Sequence, residues 1–426
     1  MTESKSLRVR RATHFWGELR PPSDKSMTHR AYLLGAIAER GGVVSRPLQA
    51  QDCDDTLACL RAMGAQVNER DGCVEIIPTA LRSPSQRLWC GNSGTTMRLL
   101  TGLLAGLGVT AELHGDESLS KRPMRRVVEP LRLMGADVAG EYPPVRVRPA
   151  SLRGIRYESP IASAQVKSAI LLAGLSAEGR TTVIEPSHSR DHTERMLRAA
   201  KVQLETSGPS VTIHPGRPDR VEMEVPGDIS SAAFFMVAAA LVGGPVTLLE
   251  VGVNPTRTGI LDVLKMAGVS VTVTNERWTQ GEPVADLAVE KSVVPLEPFH
   301  ISGALVPRLV DEVPVLAVLA TQCDGVSTIR DAKELRVKES DRIAAMAEGL
   351  RQMGARVDVF DDGMSISGPA SLRGAVIQAH HDHRVAMAFA VAGLIAEGET
   401  EILGAESIAT SFPDFESELR RLASVA

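Results

Sequence analysis

The chain carries an internal repeat that occurs six times, and this repeat limits its fold more than any other feature of the sequence. In each copy an apolar stretch rich in Ala and Leu ends at a glycine and passes into a short β-branched run. This pattern predicts a buried helix, a glycine turn and a strand. The copies lie at residues 30–44, 97–109, 168–183, 232–246, 314–326 and 385–402, with turns at Gly42, Gly108, Gly179, Gly244, Gly325 and Gly398.

A second element recurs in phase with the first. Its pattern is a leucine, a cation and then, in most copies, a glycine, followed by alternating apolar residues. This pattern is typical of a helix end, a glycine cap and a strand. The C-terminal FESELRRLA resembles a further copy that is cut short. The complete copies read LRAMGAQV from Leu60, LRLMGADV from Leu131, LRAAKVQL from Leu197, LKMAGVSV from Leu264 and LRQMGARV from Leu350.

Six units of about 70 residues predict an α/β protein, built of α+β repeats, with two domains of three units each. Gly227 follows the polar stretch 215–224 and is the candidate hinge, and the Pro21–Pro22 pair is the other candidate crossing point. We therefore expect one domain at residues 23–226 and the other at 1–22 plus 227–426. A repeat scaffold that only binds partners is the alternative, and the uneven spacing of the copies counts against it.

Composition excludes several classes of protein. The chain has 47 Lys and Arg against 52 Asp and Glu, a net charge of −5, which argues against a general nucleic-acid binder. No apolar run is long enough for a membrane span, and residues 1–20 lack the apolar core of a signal peptide. Five cysteines without a CxxC pair favour reduced thiols, so we expect a cytoplasmic protein.

The residues that open the six apolar helices differ from the rest of each unit. The openings are DKSMTHR, GNSGTTMR, SAQVKS, GDISSA, RLVDEVP and HDHR. Helix capping alone could explain Asp228, Ser230 and Ser231. Capping does not explain cations, because a cation near a helix N-terminus opposes the helix dipole, whereas a bound anion would account for them. The cations at these openings are Lys25, Arg30, Arg98, Lys167 and Arg384.

The second helices have similar openings, SKRPMRR, SRDHTER and RVKESDR. A solvated charge run is the ordinary interpretation of one such segment, but recurrence at the same point of several units favours a polyanion site. We expect a small substrate with two phosphate or carboxylate groups, bound in a cleft between the two domains, because Arg binds such groups bidentately and Lys as a point charge.

Several common chemistries have no motif in this sequence. P-loop, dinucleotide-binding, nucleophile-elbow and HExxH patterns are all missing. The run from His380 to His383 could suggest a metal, but consecutive residues do not share one helical face, and we expect no metal site. Carboxylates among cations normally have lowered pKa values and can act as bases, although burial opposes this. Those available are Asp311, Glu312, Glu339, Asp341 and Asp382.

Taken together, these openings closely resemble the 5-enolpyruvylshikimate-3-phosphate synthase family from about Thr13 to the C-terminus. DKSMTHRA, GNSGTTMRLL, LSKRPM, SAQVKSAILLAGL, PGDISSAAF, LRVKESDRI, DHRVAMA and SFPDF occur in family order. The resemblance implies six βαβαββ units in a six-fold inside-out α/β barrel, with helix N-termini facing the cleft. It implies transfer of the enolpyruvyl group of phosphoenolpyruvate to the 5-hydroxyl of shikimate 3-phosphate, in chorismate and aromatic amino acid biosynthesis. It also implies no cofactor, no metal, no nucleic-acid or membrane partner, and a monomer.

The resemblance also implies roles for individual residues. Asp311 is the expected base for the 5-hydroxyl, Glu339 the acid and base at the methylene carbon, and Lys25 a third catalytic residue. Shikimate 3-phosphate is expected at Lys25, Ser26, Arg30, Ser163, Ala164, Gln165, Arg190, Asp311 and Lys338. Phosphoenolpyruvate is expected at Lys25, Gly94, Arg122, Gln165, Arg342 and Arg384.

The sequence departs from the family pattern in three places. Many family members have a Lys where Thr410 and Ser411 stand here. Some have Ser in place of Ala164, and some have Asn in place of Glu334. The herbicide glyphosate occupies the phosphoenolpyruvate site in this family, and Gly94 leaves room for it, so inhibition is expected. The rival is the sister family of UDP-N-acetylglucosamine enolpyruvyl transferases, which typically uses a loop Cys. Residues 113–126 contain none.

Overall fold

The computed structural model describes residues 6–290 and 295–425, which divide into two compact units. The central unit consists of Ser23–Pro226 with Trp278–Glu282, and the terminal unit of Met1–Pro22, Gly227–Arg277 and Pro283–Ala426. The short stretch Trp278–Glu282, which the sequence placed in the other domain, belongs with the central unit because its backbone and side chains bind there.

The strands are short and are numbered along the chain. They are β1 Leu7–Arg10, β2 Ala12–Phe15, β3 Gly17–Leu19, β4 Gly42–Ser45, β5 Gln66–Arg70, β6 Cys73–Ile77, β7 Leu88–Trp89, β8 Ala111–His114, β9 Asp137–Ala139, β10 Val145–Arg148, β11 Arg156–Glu158, β12 Thr181–Ile184, β13 Leu204–Ser207, β14 Ser210–Ile213, β15 Val221–Glu224, β16 Val246–Gly252, β17 Val271–Thr279, β18 Glu282–Val289, β19 His300–Ile301, β20 Gly325–Ile329, β21 Arg356–Phe360, β22 Gly363–Gly368, β23 Val376–Gln378, β24 Glu399–Leu403 and β25 Ala423–Val425.

The helices alternate between long apolar ones and shorter amphipathic ones. They are α1 Lys25–Ile37, α2 Gln51–Ala62, α3 Gly94–Leu107, α4 Glu117–Ser120, α5 Arg125–Leu133, α6 Ala164–Gly174, α7 His192–Ala199, α8 Ile229–Val242, α9 Gly259–Met266, α10 Val313–Ala320, α11 Arg342–Gln352, α12 His383–Gly393 and α13 Phe415–Leu422, with 3-10 helices at Gly303–Arg308, Lys333–Val337 and Ala405–Thr410.

The central unit contains three four-stranded sheets of the same design. Their orders are β15-β4-β6-β5, β7-β8-β10-β9 and β11-β12-β14-β13. In each sheet the first two strands are parallel, and the remaining neighbours are antiparallel. The chain order from β7 to β10 is βαβαββ if the one-turn α4 is set aside, and the same order follows from β11 to β14. The first sheet takes its parallel edge strand, β15, from the end of the unit.

The terminal unit repeats this design with strands from both chain ends. Its sheets are β17-β18-β16-β3, β19-β20-β22-β21 and β1-β24-β23, and β2 pairs with β25. The N-terminal strands β1 and β3 therefore complete sheets whose other strands lie after residue 245. The predicted α/β repeat fold is confirmed. Among the described residues, no helix has both the length and the apolar character needed to cross a bilayer.

The apolar helices begin where the repeat predicts. Asp24, Ser93, Asp228 and Asp382 each cap a helix, accepting backbone N–H groups with their side chains. The glycine turns are confirmed except in the first copy, where the residue with positive φ is Gly41 rather than Gly42. Gly42 instead begins β4, where a Cβ would lie 3.0 Å from the Val221 carbonyl oxygen, a tighter contact than is usual.

Aromatic residues are few, and most phenylalanines lie in one place. Phe15, Phe234, Phe235, Phe412 and Phe415 stack in the core of the terminal unit, with ring centroids 5.6–6.2 Å apart. Their tilted and edge-to-face geometry is the favourable one for aromatic pairs. The cluster anchors α13 and the segment before it to α8, which is buried at every residue but Leu241.

Close contact between α3 and α6 depends on Gly102. A Cβ there would lie well inside van der Waals distance of the Ala169 carbonyl oxygen on α6. Gly102→Ala should lower the free energy of unfolding by about 2 kcal/mol, the usual scale of overpacking, despite the better helix propensity of Ala. Urea unfolding measures this. Gly216→Ala is the matched control because nothing lies within 4 Å of its Cβ. Equal stability of both variants would show that the two helices separate at little cost.

Candidate active site

In the central unit, α1 begins at Lys25, whose ammonium lies 3.1 Å from Asp52 Oδ2. Both side chains are mostly buried. Asp24 caps the helix by accepting the Met27 N–H at 2.8 Å. A carboxylate from α2 therefore compensates a cation that the helix dipole disfavours. The sequence analysis did not identify Asp52, although its place at the start of the second helix of the unit is a signal.

Arg30 lies on the same helix and is buried. Its Nε donates to Thr193 Oγ1 at 2.7 Å, and its two terminal nitrogens donate to Ser168 Oγ at 3.0 Å and to the Ser26 carbonyl at 2.9 Å. These three acceptors are neutral, and together they fix the plane of the guanidinium. Such a group is suited to binding an anion.

A second group of residues surrounds the start of α3. Arg98 donates to Gln165 Oε1 at 2.7 Å, and Gln165 donates to Thr95 Oγ1 at 3.0 Å. A methyl group on Gly94 would lie 2.7 Å from one Arg98 nitrogen and 3.5 Å from one Arg122 nitrogen. The structure thus brings Gly94, Arg122 and Gln165 together, as expected for one ligand, and adds Arg98 to them.

Lys167 corrects the sequence interpretation. Its ammonium lies 2.8 Å from Glu185 Oε2 and 2.8 Å from Glu194 Oε1, and all three groups are buried. Burial lowers the pKa of Lys167, but the two carboxylates outweigh it and raise the pKa above the usual value. Protein carboxylates, rather than a bound anion, explain this cation. Glu185 also accepts the Ser163 N–H at 2.9 Å and so positions the start of α6.

The remaining predicted residues of the central unit lie at or near helix openings. Ser26 is the second residue of α1, Ser163 precedes α6, and Ala164 begins it. Arg190 is half-buried in the loop between β12 and α7. Their contacts to a ligand stay predictions.

In the terminal unit, the fully buried Arg342 is the centre of a carboxylate cluster. Its Nε donates to Asp382 Oδ2 at 2.8 Å, and one terminal nitrogen reaches Asp382 Oδ1 at 3.3 Å and Glu339 Oε2 at 2.6 Å. The other donates to Asp311 Oδ1 at 3.3 Å. Burial opposes the charge, but Asp382, Glu339 and Asp311 together raise the pKa of Arg342 far above its usual range.

Asp311 joins this cluster to Arg384. Arg384 Nε lies 3.7 Å from Asp311 Oδ1, and its Nη1 donates to the Asp311 carbonyl at 3.4 Å. Asp382 caps α12 through the Arg384 N–H, so one carboxylate positions both arginines. Asp311, Glu339, Arg342 and Arg384 are therefore brought together as expected, and Asp382 is the residue that orients them.

Two family departures also have a structural context. The Lys338 ammonium lies 3.3 Å from Glu334 Oε1, and Glu334 stands where some family members have Asn. Thr410 donates to the Ser407 carbonyl at 2.7 Å within its own 3-10 helix, so its hydroxyl satisfies a local backbone group.

A buried network at the start of α8 was not foreseen. Arg257 donates to Asp228 Oδ1 at 2.9 Å and to Ser230 Oγ at 2.8 Å, and Ser230 donates to Glu312. Asp228 thus caps α8 and also binds an arginine from a loop far along the chain. Within residues 6–290 and 295–425, no group of His, Cys, Asp and Glu side chains could hold a metal.

The family model for EPSP synthase (3-phosphoshikimate 1-carboxyvinyltransferase) matches residues 9–419. The chain belongs to this family. A 3-phosphoshikimate 1-carboxyvinyltransferase of Anaeromyxobacter sp. (strain Fw109-5) is 51% identical over 417 residues, covering 96% of each chain. One of Brevibacillus brevis (strain 47) is 49% identical over 425 residues, covering 98% of this chain and 99% of the relative.

Solved structures agree with this assignment. EPSP synthase of Acinetobacter baumannii is 44% identical, with a TM-score of 0.86 over 99% of this chain and 98% of that chain. The enolpyruvyl transferase NikO of Streptomyces tendae, at 20% identity and a TM-score of 0.80 over 99% and 98%, shows the same fold. The predicted family, the enzyme class and the transferase activity in the shikimate pathway are confirmed for this EPSP synthase family member.

His29 provides a test of the burial at the start of α1. Burial, reinforced by Lys25 and Arg30, lowers the pKa of His29 from 6.5 to about 3. Between these values the unfolded chain binds a proton that the folded chain does not, so the free energy of unfolding falls as pH falls. From pH 8 to pH 5 the loss from this group should be about 2 kcal/mol.

Urea unfolding of the wild type and of His29→Asn at the two pH values measures the difference. The wild type should lose about 2 kcal/mol more than the variant, because Asn does not titrate. Equal losses would mean that His29 keeps a nearly ordinary pKa in the folded protein.

Proposed function

We propose that this family member transfers the enolpyruvyl group of phosphoenolpyruvate to the 5-hydroxyl of shikimate 3-phosphate with the residues described above, and that residues of both units act on the same two substrates. The observation that supports this most is the cluster of Asp311, Glu339, Arg342 and Arg384, where two potential proton-transfer groups share one guanidinium. A monomeric state and a cytoplasmic location stay predictions.

Shikimate 3-phosphate is assigned to the openings of α1 and α6, to Arg190 before α7 and to two residues of the terminal unit. Arg30 supports this because its hydrogen bonds hold the guanidinium in one plane, and a guanidinium can bind a phosphate bidentately. Backbone N–H groups at a helix N-terminus also favour a phosphate. The proposed residues are Lys25, Ser26, Arg30, Ser163, Ala164, Gln165, Arg190, Asp311 and Lys338.

Phosphoenolpyruvate is assigned to Lys25, Gly94, Arg122, Gln165, Arg342 and Arg384. Because residue 94 is a glycine, it has no side chain that would cover the nearby guanidinium groups of Arg98 and Arg122. An arginine guanidinium can donate two parallel hydrogen bonds to either the carboxylate or the phosphate of this substrate. By the same argument glyphosate, an anion that competes for this site in the family, should inhibit the enzyme.

The chemistry is an addition followed by an elimination. Asp311 takes the proton of the 5-hydroxyl as its oxygen bonds to C2 of phosphoenolpyruvate, and Glu339 gives a proton to the methylene carbon C3. A tetrahedral intermediate results. Glu339 then removes a proton from the same carbon while phosphate leaves from C2 and takes the proton held by Asp311, which restores the enol double bond and both carboxyl groups. Lys25 and Arg122 offset the negative charge on the departing phosphate.

Substitution of the two carboxylates tests these roles. Asp311→Asn and Glu339→Gln should each lower kcat by about 10²–10⁴, the usual contribution of a general acid or base. Phosphate release under saturating substrates measures it. Asp358→Asn is the control, since Asp358 is exposed on β21 of the same unit. Near-normal turnover in both active-site variants would refute the assignment of base and acid.

A further inference from the structure

Four buried polar side chains of the central unit form one continuous hydrogen-bonded chain. His29 Nδ1 lies 2.7 Å from Thr56 Oγ1, which lies 2.6 Å from Thr96 Oγ1. Thr96 Oγ1 in turn donates to Ser93 Oγ at 2.7 Å. The chain therefore begins on α1, crosses α2 and ends at the residue that caps α3.

Burial makes these contacts costly to lose. His29, Thr56 and Thr96 have no exposed surface and Ser93 has 1%. A buried hydroxyl that loses its partner costs more than one at the surface, since no solvent replaces the bond. The arrangement of the four groups is thus fixed more firmly than by apolar packing alone.

The protonation of His29 determines which group donates and which accepts in each of these hydrogen bonds. Burial keeps its imidazole neutral, so one ring nitrogen carries the hydrogen. Nε2 has no hydrogen-bond partner among the described residues. A hydrogen on Nδ1 avoids a buried, unpaired N–H, so Nδ1 donates to Thr56. Each hydroxyl then donates to the next, and Ser93 Oγ also accepts the Thr96 N–H at 3.1 Å.

Both ends of the chain lie beside residues assigned to phosphoenolpyruvate. His29 is four residues after Lys25 on the same face of α1. Ser93 directly precedes Gly94. In between, Thr56 and Thr96 both approach the carbonyl of Asp52, whose carboxylate holds Lys25. The chain therefore connects the Lys25–Asp52 pair to the N-terminus of α3.

We propose that His29, Thr56, Thr96 and Ser93 are positioning residues that fix Gly94 and the start of α3 relative to Lys25 for binding of phosphoenolpyruvate. The inference rests on the proposed function. It assigns no chemistry to the four side chains, which act through the residues beside them. A displacement of about 1 Å in such a site can lower the rate by about 100-fold, so a rigid link between the two helices has a functional effect.

Thr96→Val tests this most directly. It keeps the shape of the side chain and leaves the cap of α3 intact, because the Thr96 backbone N–H still binds Ser93. It removes the bonds to Thr56 and to the Ser93 hydroxyl, together with the long contact to the Asp52 carbonyl. We expect KM for phosphoenolpyruvate to rise about fivefold or more, because the ligand contacts are displaced, while KM for shikimate 3-phosphate stays within about twofold.

Two further variants separate positioning from stability. Thr96→Ser keeps the hydroxyl, so its KM for phosphoenolpyruvate should be within about twofold of the wild-type value. Thr101→Val is the matched control, since Thr101 is equally buried on α3 and donates only within the helix, to the Met97 carbonyl at 2.6 Å. It should lose similar thermal stability without a change in either KM.

The outcomes are distinct. An unchanged KM for phosphoenolpyruvate in Thr96→Val, or an equal rise in Thr101→Val, would overturn the positioning role while leaving the proposed function intact. Failure of Thr96→Ser to restore KM would also count against it. A folded wild type that releases no phosphate would overturn the proposed function itself, and with it this inference.

Discussion

The compensation of buried cations at helix N-termini is the constraint on which the rest of this structure depends. Lys25, Arg342 and Arg384 lie where helix dipoles already disfavour positive charge, and burial removes their hydration. Each is therefore held by a carboxylate, Asp52 for Lys25 and Asp382 or Asp311 for the arginines. The repeat places these side chains at equivalent points of the units. A buried cation at a helix N-terminus therefore recurs, and each time a carboxylate compensates its charge.

The three carboxylates around Arg342 differ in exposure and in the number of oxygens that bind the guanidinium. This difference distinguishes a supporting residue from the two proposed catalytic residues. Asp382 has no exposed surface and binds Arg342 through both oxygens. Asp311 and Glu339 retain 13% and 22% of their side-chain exposure and bind through one oxygen each. Asp382 is therefore a fixed support for the guanidinium, while the side chains of the other two are exposed enough to reach a substrate. Arg342 holds all three close together.

Sequence patterns predicted the six helix openings, the paired elements of each unit and the fold class, because these depend on local periodicity and capping. The family resemblance, rather than these patterns, identified most of the residues that meet at Gly94 and at Asp311. Patterns failed where partners lie far apart in sequence: Glu185 and Glu194 neutralise Lys167, and Arg257 reaches Asp228 from a distant loop. A cation at a helix start cannot by itself show whether its counter-charge comes from a ligand or from the protein. The His29–Thr56–Thr96–Ser93 chain was missed for the same reason.

Steady-state release of phosphate from phosphoenolpyruvate by the wild-type protein is the most direct test of this account. The assay is run with shikimate 3-phosphate and, separately, with UDP-N-acetylglucosamine, the acceptor of the sister family. Saturable release with shikimate 3-phosphate and none with the nucleotide sugar is the predicted result. Release with neither acceptor from folded protein, or release with the nucleotide sugar alone, would contradict it.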